Sequence, residues 1–126
     1  MLIIKQIIIF VELNSVVMNK LKEEYKPFLL QIKENVQQVD AEAQVWLYGS
    51  RARGDARSDS DWDILVLSPK DKLTFKEEEK YMDNICGLMV ETGQVIQLFA
   101  YGMLDWHQNH KITPFYQSVK SDAIQL

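Results

Sequence analysis

The sequence predicts one α/β domain over residues 1–126, with a small mixed sheet flanked by helices. Three observations predict it. Apolar residues recur at helical spacing in two long segments, 19–39 and 74–90. Three short runs rich in β-branched, leucine and aromatic residues, 44–48, 62–67 and 95–101, are bounded by Gly, Ser and Pro. The first two runs are joined by only ~12 residues and the second and third by a segment long enough for a helical crossover, so antiparallel and parallel pairing are both expected.

The opening run MLIIKQIIIFVEL is apolar but interrupted by Lys5 and Glu12. A membrane span needs ~20 apolar residues, and the run lacks the small-residue cleavage site of a signal peptide. Two readings stay open: a strand, from its Ile and Val content, or a dispensable extension of residues 1–17, with the functional chain starting at Met18. Residues 19–39 place Leu21, Tyr25, Phe28, Leu29, Ile32, Val36 and Val39 at steps of three and four, an amphipathic helix. Pro27 either kinks it or opens a shorter helix at its first turn.

Gln44 to Tyr48 reads as a strand ending at Gly49. GSRARGDARSDS, residues 49–60, reads as a loop or short helical turn. Trp62 to Leu67 is the second strand, apolar on both faces after Asp63, as a strand covered on each side should be. Thr74 followed by an acidic turn caps a helix that Thr92-Gly93 ends. Val95 to Tyr101 is the third strand. A short helix near Met103 to His110 and another from Pro114 to about Lys120 follow.

Composition bounds the function. Apolar residues make up 47% and charged residues 25% of the 126, a globular balance with core enough to need no disulfide. The net charge of −4 disfavours general nucleic-acid binding; Arg51, Arg53 and Arg57 form a local exception. The single cysteine, Cys86, falls in the apolar part of a helix and reads as a small buried hydrophobe. One cysteine allows no internal disulfide, which fits a reducing cytoplasm.

The chemistry concentrates in Gly49-Ser50, ten residues, then Asp61-Trp62-Asp63. Residues two apart in a strand face the same way, so Asp61 and Asp63 can share magnesium, an ion that favours carboxylates together with substrate phosphates. Gly49 admits a phosphate close to the backbone, Ser50 offers a hydroxyl at the start of a helical turn, and Arg51 and Arg53 could neutralise a triphosphate. His107 and His110 share a helix face at a metal-ligand spacing but lack a third ligand nearby, which favours a surface role. Trp106, Phe115 and Tyr116 read as core or as a partner-binding face.

The stretch WLYGSRARGDARSDSDWDILVL resembles the signature of the minimal nucleotidyltransferase (MNT) domains of the DNA polymerase beta superfamily. The likeness is close over 45–67 and extends in layout over 19–120. It implies a nucleotidyltransferase fold, with Gly49 and Ser50 holding the triphosphate of ATP and Asp61 and Asp63 binding Mg2+. Many members resemble antitoxins encoded beside a small helical HEPN ribonuclease toxin, and some transfer AMP from ATP onto a tyrosine of that partner. The family commonly carries a third carboxylate on the next strand, where this sequence has Gln97; Glu91 and Asp105 are the nearest acids in sequence. A glutamine amide can ligate but is uncharged and a poor base. Three functions are therefore expected in turn. The first is AMP transfer to a partner protein, as a homo- or hetero-oligomer. The second is a binding module that neutralises a partner by docking. The third is an aminoglycoside-type small-molecule transferase.

Overall fold

A computed structural model describes residues 5, 6 and 21–126. The two readings of the segment 1–17, and its dispensability, lie outside the described residues. A 3-10 turn, Glu23–Tyr25, leads into α1, Lys26–Val39, with Pro27 in the first turn. There its missing N–H costs nothing, because first-turn amides have no intrahelical acceptor. Of the two expectations for Pro27, the shorter helix holds. Leu29, Ile32 and Val36 form its buried stripe.

Four strands follow in the sheet order β3-β2-β1-β4. Strand β1, Gln44–Tyr48, is antiparallel to β2, Trp62–Ser68, and β2 is parallel to β3, Ile96–Gly102. Between β1 and β2 the chain makes one short helix, α2, Ser50–Arg53. Between β2 and β3 runs α3, Phe75–Thr92, opened by a reciprocal capping box between Thr74 and Glu77 and closed at Gly93. After β3 come α4, Met103–Asn109, and α5, Pro114–Asp122, capped by Thr113. The two-residue strand β4, Ile124–Gln125, pairs antiparallel with β1 at Trp46 and Leu47. Sequence reading missed β4, since two residues carry no periodicity.

The central β2 separates two cores, as its doubly apolar sequence requires. Ile64 and Val66 pack with Ile32, Val36 and Ile85 of α1 and α3. Leu65 and Leu67 face the other way, onto Tyr48, Trp106, Tyr116 and Val119. Trp106 and Tyr116 are therefore core, with Phe115 packed at its margin. Cys86 corrects an expectation: it is exposed. The buried stripe of α3 runs through Tyr81, Ile85 and Leu88, and Cys86 falls one step off it. Among the described residues no helix is long and apolar enough to cross a membrane.

Candidate functional site

The corner between β1 and β2 collects most of the residues singled out by sequence. Gly49 leaves β1 with φ 74° and ψ −155°, a conformation essentially confined to glycine. It lets the chain turn at once into α2. The amides of Ala52 and Arg53 donate to the Gly49 carbonyl at 3.1 and 3.0 Å, and those of Gly54 and Asp55 to the Ser50 carbonyl at 2.9 and 3.1 Å. The amides of Ser50 and Arg51 open the helix, where no carbonyl stands four residues back within it.

Asp63 comes to this turn from β2. A β-carbon placed on Gly49 would collide with its carboxylate oxygen and lie 3.1 Å from its Cγ. Asp61 precedes β2 by one residue and is exposed, whereas Asp63 is half-buried. The Trp62 amide between them donates to the Val95 carbonyl at 2.9 Å, which fixes the start of the strand. Burial pushes the Asp63 carboxyl above its ordinary range; the neighbouring Asp61 adds to the rise and Arg53 opposes it. In the ladder Asp63 is flanked by Tyr48 on β1 and Gln97 on β3. Burial, with Asp63 and then Tyr101 as smaller causes, raises the Tyr48 hydroxyl.

The two arginines part company. Arg53 is exposed; its Nε donates to Asp55 at 3.3 Å and its Nη1 to Asp122 at 2.9 Å. Arg51 turns inward and is only 5% exposed. Its guanidinium donates to the carbonyls of Ser58 and Ser60 and lies over the rings of Trp62 and Tyr25, 3.9 and 5.1 Å from their centroids. That geometry gives Arg51 the task of folding the 54–60 loop onto the core, while Arg53 stays at the surface, bonded to Asp55 and Asp122.

Gln97 occupies the ladder position next to Asp63 and is exposed. The two nearest acids stand elsewhere. Asp105 lies on α4, beyond the far end of β3, where it accepts from Asn109 at 2.6 Å and lies 3.5 Å from His110. The Asn109 hydrogen bond, ahead of His110, holds its carboxyl below the usual range. Glu91 is in the last turn of α3, a helix packed on the sheet face opposite to Asp63. His107 and His110 do not act as a pair: His107 meets the Tyr116 hydroxyl at 3.0 Å, and His110 stacks against Trp106.

Among the described residues no group of three or more His, Cys, Asp and Glu side chains is placed to hold a metal ion. What the corner offers is a carboxylate pair beside a glycine turn and the exposed guanidinium of Arg53. Sequence reading missed Tyr48 and Asp122. The first was legible as the residue before Gly49 once the strands were paired; the second, 69 residues from Arg53, carries no local signal.

A model of the family described as "Nucleotidyltransferase domain" matches residues 29–102, more than half of the chain. The match runs from α1 through β3 and takes in Gly49, Ser50, Asp61, Asp63 and Gln97. No curated protein matches the chain.

Proposed function

The chain belongs to the nucleotidyltransferase domain family, and from that premise we propose that it binds ATP with magnesium at the Gly49–Asp63 corner and transfers AMP to a hydroxyl of a partner protein. The observation that carries this reading is the Asp63 carboxylate lying against the Gly49 turn, with Asp61 two residues before it, so that a carboxylate pair meets the Gly-Ser corner. Such a pair is deficient in positive charge, and an Mg2+ ion arriving with a triphosphate is the group that supplies it. Asp61 and Asp63 would hold that ion, which would neutralise charge on the phosphoryl oxygens.

The rest of the corner suits a triphosphate. Gly49 lets the Asp63 carboxylate come up against the turn, and the Ser50 hydroxyl opens α2. Arg53 retains N–H donors beyond the two engaged with Asp55 and Asp122. In the transfer, the acceptor oxygen bonds to the α-phosphorus and the bond to the bridging oxygen breaks. Pyrophosphate leaves with that oxygen, and the hydroxyl proton passes to solvent, because the amide of Gln97 cannot take it. The acceptor is proposed to come from another protein. The resemblance to MNT antitoxins suggests a tyrosine of a small helical HEPN toxin.

One observation favours a second reading. The ladder position beside Asp63 holds an uncharged Gln97, so the chain would bind nucleotide yet act chiefly by docking on its partner. Calorimetry with ATP, with and without magnesium, tests the site common to both readings. Magnesium-dependent binding by the wild type and its loss in the Asp61→Asn, Asp63→Asn double variant are expected. Equal affinity of the two proteins overturns the metal assignment.

A further inference from the structure

Arg53 and Asp122 are 69 residues apart in sequence, yet they form a hydrogen-bonded ion pair of 2.9 Å. Their surroundings are unequal. The Arg53 side chain is 46% exposed, whereas that of Asp122 is 14% exposed. Asp122 is also anchored by the backbone around it: it ends α5, and the next residue, Ala123, donates its amide to Val119 at 2.8 Å before β4 pairs with β1. Asp55, the other partner of Arg53, is 64% exposed and belongs to the same loop as the arginine. Of the two partners, it is therefore Asp122 that ties the Arg53 side chain to a fixed part of the fold.

We propose that Asp122 is a positioning residue for the nucleotide site: by gripping one edge of the Arg53 guanidinium it holds the remaining N–H donors beside Asp63, ready for a triphosphate. The inference rests on the nucleotide reading above and deepens it. Arg53 sits on a helix of four residues, and a long side chain there loses much rotamer freedom when it is recruited to a ligand. An arginine already held in place loses less on binding, so preorganisation raises affinity. Asp122 does not block the ligand, because its bond to Nη1 and that of Asp55 to Nε leave the second terminal nitrogen unengaged with either. The Arg53 amide donates to the Gly49 carbonyl at 3.0 Å, and Gly49 lies against the Asp63 carboxylate, so the arginine belongs to the same corner. The C-terminal segment α5–β4, outside the family match at residues 29–102, thus contributes to the site through one carboxylate.

A double-mutant cycle on nucleotide affinity tests the proposal, with a non-hydrolysable ATP analogue and magnesium as the probe and calorimetry as the readout. Asp122→Asn should weaken binding about two- to fivefold, the range set by a partly exposed ion pair, and Asp122→Glu should recover part of the loss. Arg53→Gln should weaken binding more. The double variant should bind no worse than Arg53→Gln alone, because Asp122 acts only through the arginine. Additive losses would assign Asp122 a merely structural role and overturn the proposal. So would wild-type affinity in Asp122→Asn. Should the wild type itself bind no nucleotide, the nucleotide reading fails and this inference falls with it, an outcome distinct from the other two.

Discussion

The carboxylate of Asp63 fills the volume above the α-carbon of Gly49, so closely that no side chain fits between the turn and the strand. The contact joins the end of β1 to the start of β2 and makes the two halves of the Gly-Ser and Asp-x-Asp signature one site. Gly49→Ala would place a methyl group into that carboxylate and force an L residue to φ 74°. The expected result is loss of about 1–3 kcal/mol of stability, together with loss of magnesium-dependent nucleotide binding. Gly54→Ala is the matched control, since Gly54 has φ 89° but nothing within 4 Å of the added carbon. Urea denaturation of both variants separates the contact from the backbone cost. Equal losses would mean that Asp63 contributes nothing to the constraint.

Asp63 also predicts a pH dependence. Burial and Asp61 raise its carboxyl in the folded state, whereas an unfolded aspartate titrates near ~3.9. The folded state therefore binds the proton more tightly. The stability owed to this group is present below the unfolded value and lost as pH rises through the raised folded value. Asp63→Asn, which keeps the shape and removes the charge, should be more stable than wild type at neutral pH in the absence of magnesium. Its advantage should shrink on acidification. Thermal denaturation across pH checks both points, and an Asn variant less stable than wild type at neutral pH would contradict them. The trade of stability for a ligand-ready charge is common at functional sites.

Arg51 is the corner's structural arginine. Arg51→Ala would leave the Ser58 and Ser60 carbonyls without their donor and uncover the Trp62 ring. Charged hydrogen bonds are worth ~1.5–3 kcal/mol and a desolvated cation–π contact up to about 2. A total loss of about 2–4 kcal/mol is expected, against well under 1 kcal/mol for the exposed Arg57→Ala. Arg51→Lys should rescue little, because one ammonium cannot span two carbonyls and stack flat on an indole. If the Ala variant were as stable as wild type, the loop would be held by something other than this side chain.

The path from sequence to these assignments was uneven for physical reasons. Strong periodicity made α1, α3 and the three longer strands legible. Asp63 could be singled out because it pairs with Asp61 at the head of an apolar strand, ten residues after Gly49-Ser50. The opposite fates of Arg51 and Arg53 were not legible: the two differ only in which side of a four-residue helix they leave, and that depends on Tyr25 and Trp62 from two other elements. Cys86 failed similarly, one position off a buried stripe whose phase only packing decides. Asp122 and β4 depend on closure of the C terminus against β1, a long-range event with no local pattern. Gln97 is singled out by the family resemblance, as the position of a third carboxylate, and the ladder sets it beside Asp63.

That neighbour relationship gives the last prediction. Parallel ladder partners project from the same face of the sheet, so Gln97→Asp would put a third carboxylate next to Asp63. Without magnesium the new charge adds to the repulsion already raising Asp63, and the variant should be less stable than wild type. With magnesium and ATP the sign reverses, because a third anion completes the charge around the bound ion and can accept the attacking hydroxyl's proton. General-base assistance is worth ~10²- to 10⁴-fold at full geometry, and a side chain one methylene shorter than Gln97 will reach only part of it. A gain of roughly ten- to hundredfold in AMP transfer to the partner is expected, scored by intact mass, with wild type slow. If wild type is already fast and the variant no faster, Gln97 is not the missing ligand, and another acid fills the role; Glu91, on a helix across the sheet from Asp63, and Asp105, beyond the far end of β3, are tested next. If neither protein transfers AMP while both bind the partner tightly, the uncharged Gln97 marks a domain that works by docking, and the second reading stands.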